Sequence, residues 1–201
     1  MPREAKPLGQ SAKLPKFRGG TFEWGYTSML ADRARSGITM ARTTGAFWVL
    51  CIVTGIYGYF PAHGTQLGKE SIVVGGAAYL VVTVLLYVLL RPVNQPVALI
   101  AAAFSLVGIA VSSDSPFYFG VQCILVGYLI MRSTFLPTII GVLMMLAGLG
   151  QLFILSSLLP DAWTNPFNPV GFAVDGLGEI ALALWLLAMG VNGEKWVASG
   201  G

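Results

Sequence analysis

Residues 169–191 read PVGFAVDGLGEIALALWLLAMGV, and this stretch decides how the rest of the chain is read. As a helix it is long and apolar enough to cross a bilayer, which takes about 20 residues. It nevertheless carries Asp175 and Glu179, and no other acid falls inside an apolar run of this chain. Four residues apart, the two carboxyl groups share one helical face, one turn above the other. Gly171 and Gly178 share that face, where a neighbouring helix can come close to the backbone. An ionised carboxylate at mid-bilayer costs on the order of 2.5–3.5 kcal/mol on insertion scales, and two side by side repel. At least one of the pair is therefore expected to be protonated and to donate a hydrogen bond.

Five further apolar runs precede this one, at about 41–60, 71–90, 96–112, 117–132 and 136–158, the fourth being the shortest. Only 10% of the 201 residues are charged, against roughly 25% in soluble domains, and 55% are hydrophobic. The expected fold is all-α: a polytopic membrane protein with six transmembrane helices over residues 40–192. A short C-terminal segment, 193–201, follows. Pro96 and Pro137 suit the first turns of the third and fifth helices.

Orientation follows from the basic residues. Eight of the twelve Lys and Arg precede position 43, and Arg91, Arg132 and Lys195 follow at alternate loops. With the N-terminus inside, Lys69 alone lies outside, so the positive-inside rule places both termini in the cytoplasm. Trp163 and Trp196 then fall near opposite interfaces as amphipathic anchors. The expected location is a bacterial inner membrane. The turns Tyr87-x-x-x-Arg91-x-x-x-x-Pro96 and Tyr128-x-x-x-Arg132-x-x-x-x-Pro137 echo each other, so two hairpins solve the same problem of ending a helix at a cytoplasmic arginine.

Residues 1–39 form a basic tail with interleaved aromatics, rich in proline and glycine in its first half. Thr27–Ser36 fits a short helix lying at the membrane surface. Lys13, Lys16, Phe17, Arg18, Phe22, Trp24, Tyr26, Arg33 and Arg35 are the expected contacts to a partner subunit or to lipid headgroups. Such a mixture also stacks on single-stranded nucleic acid. A tail leading straight into a membrane anchor argues against that, and no nucleic acid is expected.

The remaining polar candidates lie within the runs. Gln122 and Gln151 fall at a depth near that of Asp175 and Glu179, so these four are the expected intramembrane polar cluster. Its plainest role is to fasten helices together; a proton or cation pathway is the alternative. Cys51 and Cys123 read as small packing residues. His63, in the loop after the first run, is read as solvated in preference to a ligand for a haem or chlorin. Gly75 with Gly76, and Gly141 with Gly148 and Gly150, read as close helix packing. No motif for nucleophilic or metal catalysis occurs, and no metal or cofactor is expected.

From Ala41 to Asn192 the chain resembles bacterial membrane proteins grouped as domain of unknown function 4386. The likeness is carried by Ile52-Val53-Thr54-Gly55-Ile56, Leu90-Arg91-Pro92-Val93-Asn94, Gly127-Tyr128-Leu129-Ile130 and Phe135-Leu136-Pro137. It continues in Ala147-Gly148-Leu149-Gly150, Gly178-Glu179 and Leu184-Trp185-Leu186-Leu187. The resemblance implies a multi-helix inner-membrane protein in which Glu179 is a family position, and it implies no activity. Ser105 stands where family members tend to have an arginine. Together these features suggest a non-enzymatic accessory or structural subunit of a larger membrane complex, an energy-transducing one (photosynthetic or respiratory) among the candidates. It would dock through its tail and helix faces. The alternative is a small proton-coupled transporter or channel using Asp175 and Glu179.

Overall fold

The computed structural model describes residues 20–111, 115–154 and 169–201, and every regular element among them is a helix. In chain order these are α1 (Gly20–Tyr59), α2 (Gln66–Leu90), α3 (Gln95–Ala110), α4 (Ser115–Arg132), α5 (Thr138–Ile154), α6 (Pro169–Ala188) and α7 (Gly193–Ala198). The expected all-α class is therefore found. Thr27–Tyr59 and Gln66–Leu90 are long and apolar enough to cross a membrane, and most of their residues are unburied, unlike a core helix of a soluble protein. The shortest of the six long helices is α3, at 16 residues, not the fourth run as expected.

Each long helix packs on its sequence neighbour, and α6 closes back on α1, so the six form a ring. Small residues make the contacts close. A Cβ added to Gly127 in α4 would lie 2.6 Å from the Gly141 carbonyl oxygen in α5, and one added to Gly141 would lie 2.7 Å from that of Gly127. Two turns away, Gly120 and Gly148 repeat the arrangement, at 3.0 and 2.5 Å. This seam brings two backbones within Cα–H···O reach along an antiparallel pair. Gly45 of α1 abuts the backbone of Ala183 and Leu187, and Gly178 of α6 abuts the Leu143 carbonyl of α5. Gly75 packs on Thr54 of α1, whereas Gly76 has nothing within 4 Å and does not share the packing role expected of it.

The connections follow local rules. Thr65 caps α2, its hydroxyl accepting from the Gly68 N–H (3.0 Å), and Asn94 caps α3 by accepting from Val97 N–H (3.2 Å). Pro96 sits in the first turn of α3, and Pro137 immediately precedes α5. Gly190, at φ +69°, ends α6 in the left-handed conformation that glycine adopts freely.

Two further expectations need correction. The first helix does not begin near residue 41 after a separate surface helix, because Thr27–Ser36 is continuous with the first apolar run as one 40-residue helix. Neither glycine nor proline interrupts the Met29–Ser36 stretch, so nothing breaks the helix there. Trp196 is not an interfacial anchor. It is buried, its Nε1–H donating to the Leu89 carbonyl at the end of α2 (3.0 Å), and its ring lies against Gly37 of α1. The segment 193–201 is therefore a docked helix and turn. Trp163 lies outside the described residues.

One end of the ring gathers Arg42, Arg91, Arg132, Lys195 and the projecting N-terminal part of α1 with Arg33 and Arg35. The Asn192 N–H to Phe135 carbonyl bond (3.1 Å) and the Trp196–Leu89 bond tie that end together. Lys69, Glu70 and His63 lie at the other end, with His63 exposed in the α1–α2 turn.

Candidate functional site

The interior of the ring is polar at mid-height. Tyr79 of α2, Gln122 and Cys123 of α4 and Glu179 of α6 all lie near the middle of their helices. Adjacent on α4, Gln122 and Cys123 point to different neighbours. The Tyr79 hydroxyl donates to Gln122 Oε1 (3.1 Å), and the Cys123 thiol donates to Glu179 Oε1 (3.6 Å). Gln122 and Cys123 are fully enclosed, and Glu179 is half-buried. Cys51 of α1, whose thiol donates to the Gly75 carbonyl (3.3 Å), and Tyr79 both lie within electrostatic reach of the Glu179 carboxyl group.

An aromatic string holds this layer. Trp48 of α1 meets Tyr79 edge to face (centroids 6.2 Å), and Tyr79 meets Phe119 of α4 in the same way (5.3 Å). Such contacts contribute roughly 0.5–1.5 kcal/mol each beyond burial. Trp48 Nε1 is buried with no acceptor among the described residues, a cost of about 1–3 kcal/mol that the packing around it must offset. Toward the basic end, Thr83 donates to the Tyr79 carbonyl (2.9 Å) and lies 2.6 Å from the Ser105 hydroxyl. A hydroxyl has one hydrogen, so with Thr83 committed to Tyr79 it is Ser105 that donates to Thr83.

Of the expected cluster, the described structure brings Gln122 and Glu179 into one layer. It joins them through the neighbours Gln122–Cys123 and gives each a partner on another helix. Gln151 is buried on α5 beside Gly120, on the side of Gln122 away from the basic end. Asp175 lies on α6, but its side chain is outside the described residues. So are those of Phe22, Trp24 and Tyr26 on α1, and Lys13, Lys16, Phe17 and Arg18 lie outside altogether. Arg33 and Arg35 are exposed.

Sequence reasoning missed Tyr79 and the thiol of Cys123. A tyrosine inside an apolar run is usual packing material, and nothing in its spacing announces a partner 43 residues on. One signal was available: Cys123 sits beside Gln122, and a helix interior that has room for a glutamine has room for a small donor next to it. Chemically, the layer holds donors and acceptors matched across helices around one carboxyl group. Among the described residues no three His, Cys, Asp or Glu side chains gather as a metal site.

Comparison with known families fits this arrangement. Residues 115–190, from the start of α4 to the end of α6, match the family model described as Domain of unknown function (DUF4386). That segment is similar to DUF4386 proteins. The matched region holds the α4–α5 glycine seam together with Gln122, Cys123 and Glu179, so the likeness seen in the residues is upheld over this part of the chain. The chain is also 28% identical over 131 residues to an uncharacterized protein of Archaeoglobus fulgidus, covering 54% of this chain and 75% of that protein. No solved structure matches.

Proposed function

We propose that this is a six-span integral membrane protein of a bacterial inner membrane, with both termini cytoplasmic, acting as a non-catalytic accessory subunit of a larger membrane assembly. The observation that carries the reading is the form of α1. Forty residues of helix are about 60 Å long, twice the hydrocarbon core of roughly 30 Å. From Thr27 to Ser36 no residue is buried: Ala34 abuts Gly193 and Arg33 and Ser36 border the C-terminal turn, and the rest of this part of the helix is open, with Arg33 and Arg35 exposed. A helical arm that the other described residues cover on one side only is suited to docking. Large apolar side chains exposed on all six long helices, among them Val53, Val73, Leu99, Phe117, Ile139 and Leu184, supply a face for lipid or neighbouring spans. The gathering of basic residues at one end supports the orientation.

The test is native gel and size analysis of the full chain extracted in mild detergent. The wild type is expected to migrate in a larger assembly, and R33E/R35E to release it as a folded single chain. Migration of the wild type as a single chain overturns the reading. The topology is checked separately by thiol labelling: H63C should react only from outside and S199C only from inside.

A second reading, a proton-coupled transporter, is favoured by the half-buried Glu179 at mid-height. It requires that E179Q abolish a proton flux in proteoliposomes, and unchanged flux sinks it.

A further inference from the structure

At the basic end of the ring an open cleft of about 250 Å3 lies between α1, the α2–α3 turn and the C-terminal turn, lined by Arg33, Ser36, Arg91, Trp196, Gly200 and Gly201. Two guanidinium groups enter it from elements far apart in sequence. Among the described residues no Asp or Glu side chain lines it, the one acidic group at its edge being the terminal carboxylate of Gly201, and neither arginine has an ion-pair partner. The floor is rigid: the Trp196 indole is pinned by its bond to the Leu89 carbonyl and by contact with Gly37. One wall is held by main-chain bonds, from Gly200 N–H to the Val197 carbonyl (3.0 Å) and from Gly201 N–H to the Trp196 carbonyl (3.2 Å). Ser36 adds a hydroxyl.

Two guanidinium groups that line one cleft repel each other, and an anion bound between them offsets that repulsion. Guanidinium forks match the geometry of phosphate oxygens, donating parallel charge-assisted hydrogen bonds. Arg91 directly follows α2, a 25-residue apolar helix, so it stands at the level where that helix leaves hydrocarbon for headgroups. We propose that this cleft binds a phosphate group, presented by the headgroup of an anionic phospholipid. The phosphate is held between Arg33 and Arg91, with Ser36 as a further donor, and the glycerol side lies toward the apolar surface of α2. The choice of a lipid as the source rests on the membrane placement proposed above; the recognition of phosphate does not.

The experiment uses the purified full chain, with lipid retention read by native mass spectrometry after adding phosphatidylglycerol or phosphatidylcholine. In a parallel arm, inorganic phosphate is titrated against thermal unfolding without lipid. Wild type is expected to retain phosphatidylglycerol in preference to phosphatidylcholine. R33Q and R91Q should each weaken retention about tenfold, the effect of one charge-assisted hydrogen bond. R132Q, at the same end but outside the cleft, should leave retention unchanged. S36E keeps both arginines, sits at an exposed helical position and places a carboxylate in the cleft; it should abolish retention with unfolding as in wild type. Stabilisation by inorganic phosphate that R33Q and R91Q remove, without lipid retention, supports the phosphate site and assigns it a soluble source. Failure to incorporate into lipid nanodiscs overturns the membrane placement alone. Retention by R33Q and R91Q equal to wild type, loss in R132Q equal to theirs, or no response in either arm overturns the proposal.

Discussion

Placing a methyl group in the α4–α5 seam tests what holds this bundle together. In Gly127→Ala the new Cβ would lie 2.6 Å from the Gly141 carbonyl oxygen, 2.6 Å from Met145 Cγ and 2.9 Å from Met145 N. Ordinary C···O contacts begin at about 3.3 Å, so the helices must separate by about 0.7 Å at this point. Met145 Cγ can swing aside, but the backbone atoms cannot. Separation at Gly127 also loosens the Gly120–Gly148 crossing, two turns along the same rigid pair. Overpacking of this kind costs about 1–3 kcal/mol, and each lost Cα–H···O contact adds about 0.5–1 kcal/mol. Gly127→Ala is thus expected to lose about 2–3 kcal/mol, and Gly141→Ala a similar amount. The double variant should lose less than the sum, because one separation relieves both clashes. Gly55→Ala, with nothing within 4 Å, is the control and should match wild type or gain slightly from the better helix former. The assay is reversible unfolding in mixed detergent followed by circular dichroism. A Gly127→Ala variant within about 0.5 kcal/mol of wild type, or a Gly55→Ala variant equally damaged, would refute the argument.

Two further outcomes follow from the packing. Trp196→Ala removes a buried indole that joins α7 to α1 and α2, and should cost about 3–5 kcal/mol and expose the C-terminal residues to protease. Trp196→Phe keeps most of the packing but leaves the Leu89 carbonyl without its donor, and should cost about 1–2 kcal/mol in the same unfolding assay. Glu179→Gln keeps an acceptor for the Cys123 thiol and should change stability by less than about 1 kcal/mol, as measured interhelical polar contacts do. Glu179→Leu removes the acceptor and should cost more than Glu179→Gln; equal losses would mean that the thiol contact contributes nothing.

The helical runs were legible because apolar length is a one-dimensional property. The ends of α2 to α6 fall within about five residues of the runs seen in the sequence. The start of α1 was misplaced for a physical reason: charge and polarity signal departure from hydrocarbon, not the end of a helix, and Asp32, Arg33 and Arg35 are compatible with both. Trp196 misled because an indole suits a lipid interface and a protein interior equally well, and only the presence of Gly37 and the Leu89 carbonyl opposite it decides. In the candidate site, Glu179 and Gln122 could be picked out because polar groups are rare at such depth. Their partners could not, since Tyr79 and Cys123 become polar participants only when another helix is placed across from them. The tight glycines were visible as composition, but the reciprocity of Gly127 with Gly141 depends on the register of two helices.

The closure of the ring by α6 on α1 also sets an order of assembly. Gly45 finds the backbone of Ala183 and Leu187 only after nearly the whole chain has been made, and Trp196 reaches Gly37 later still. During synthesis the small-residue face of α1 is therefore made uncovered and waits. The α4–α5 hairpin needs only its own short turn and can form as soon as both helices emerge. The protein is thus built from a preassembled hairpin and an open first helix, and the last helix works as the clasp. Any chain truncated before residue 183 presents to its neighbours a close-packing face that the finished molecule conceals.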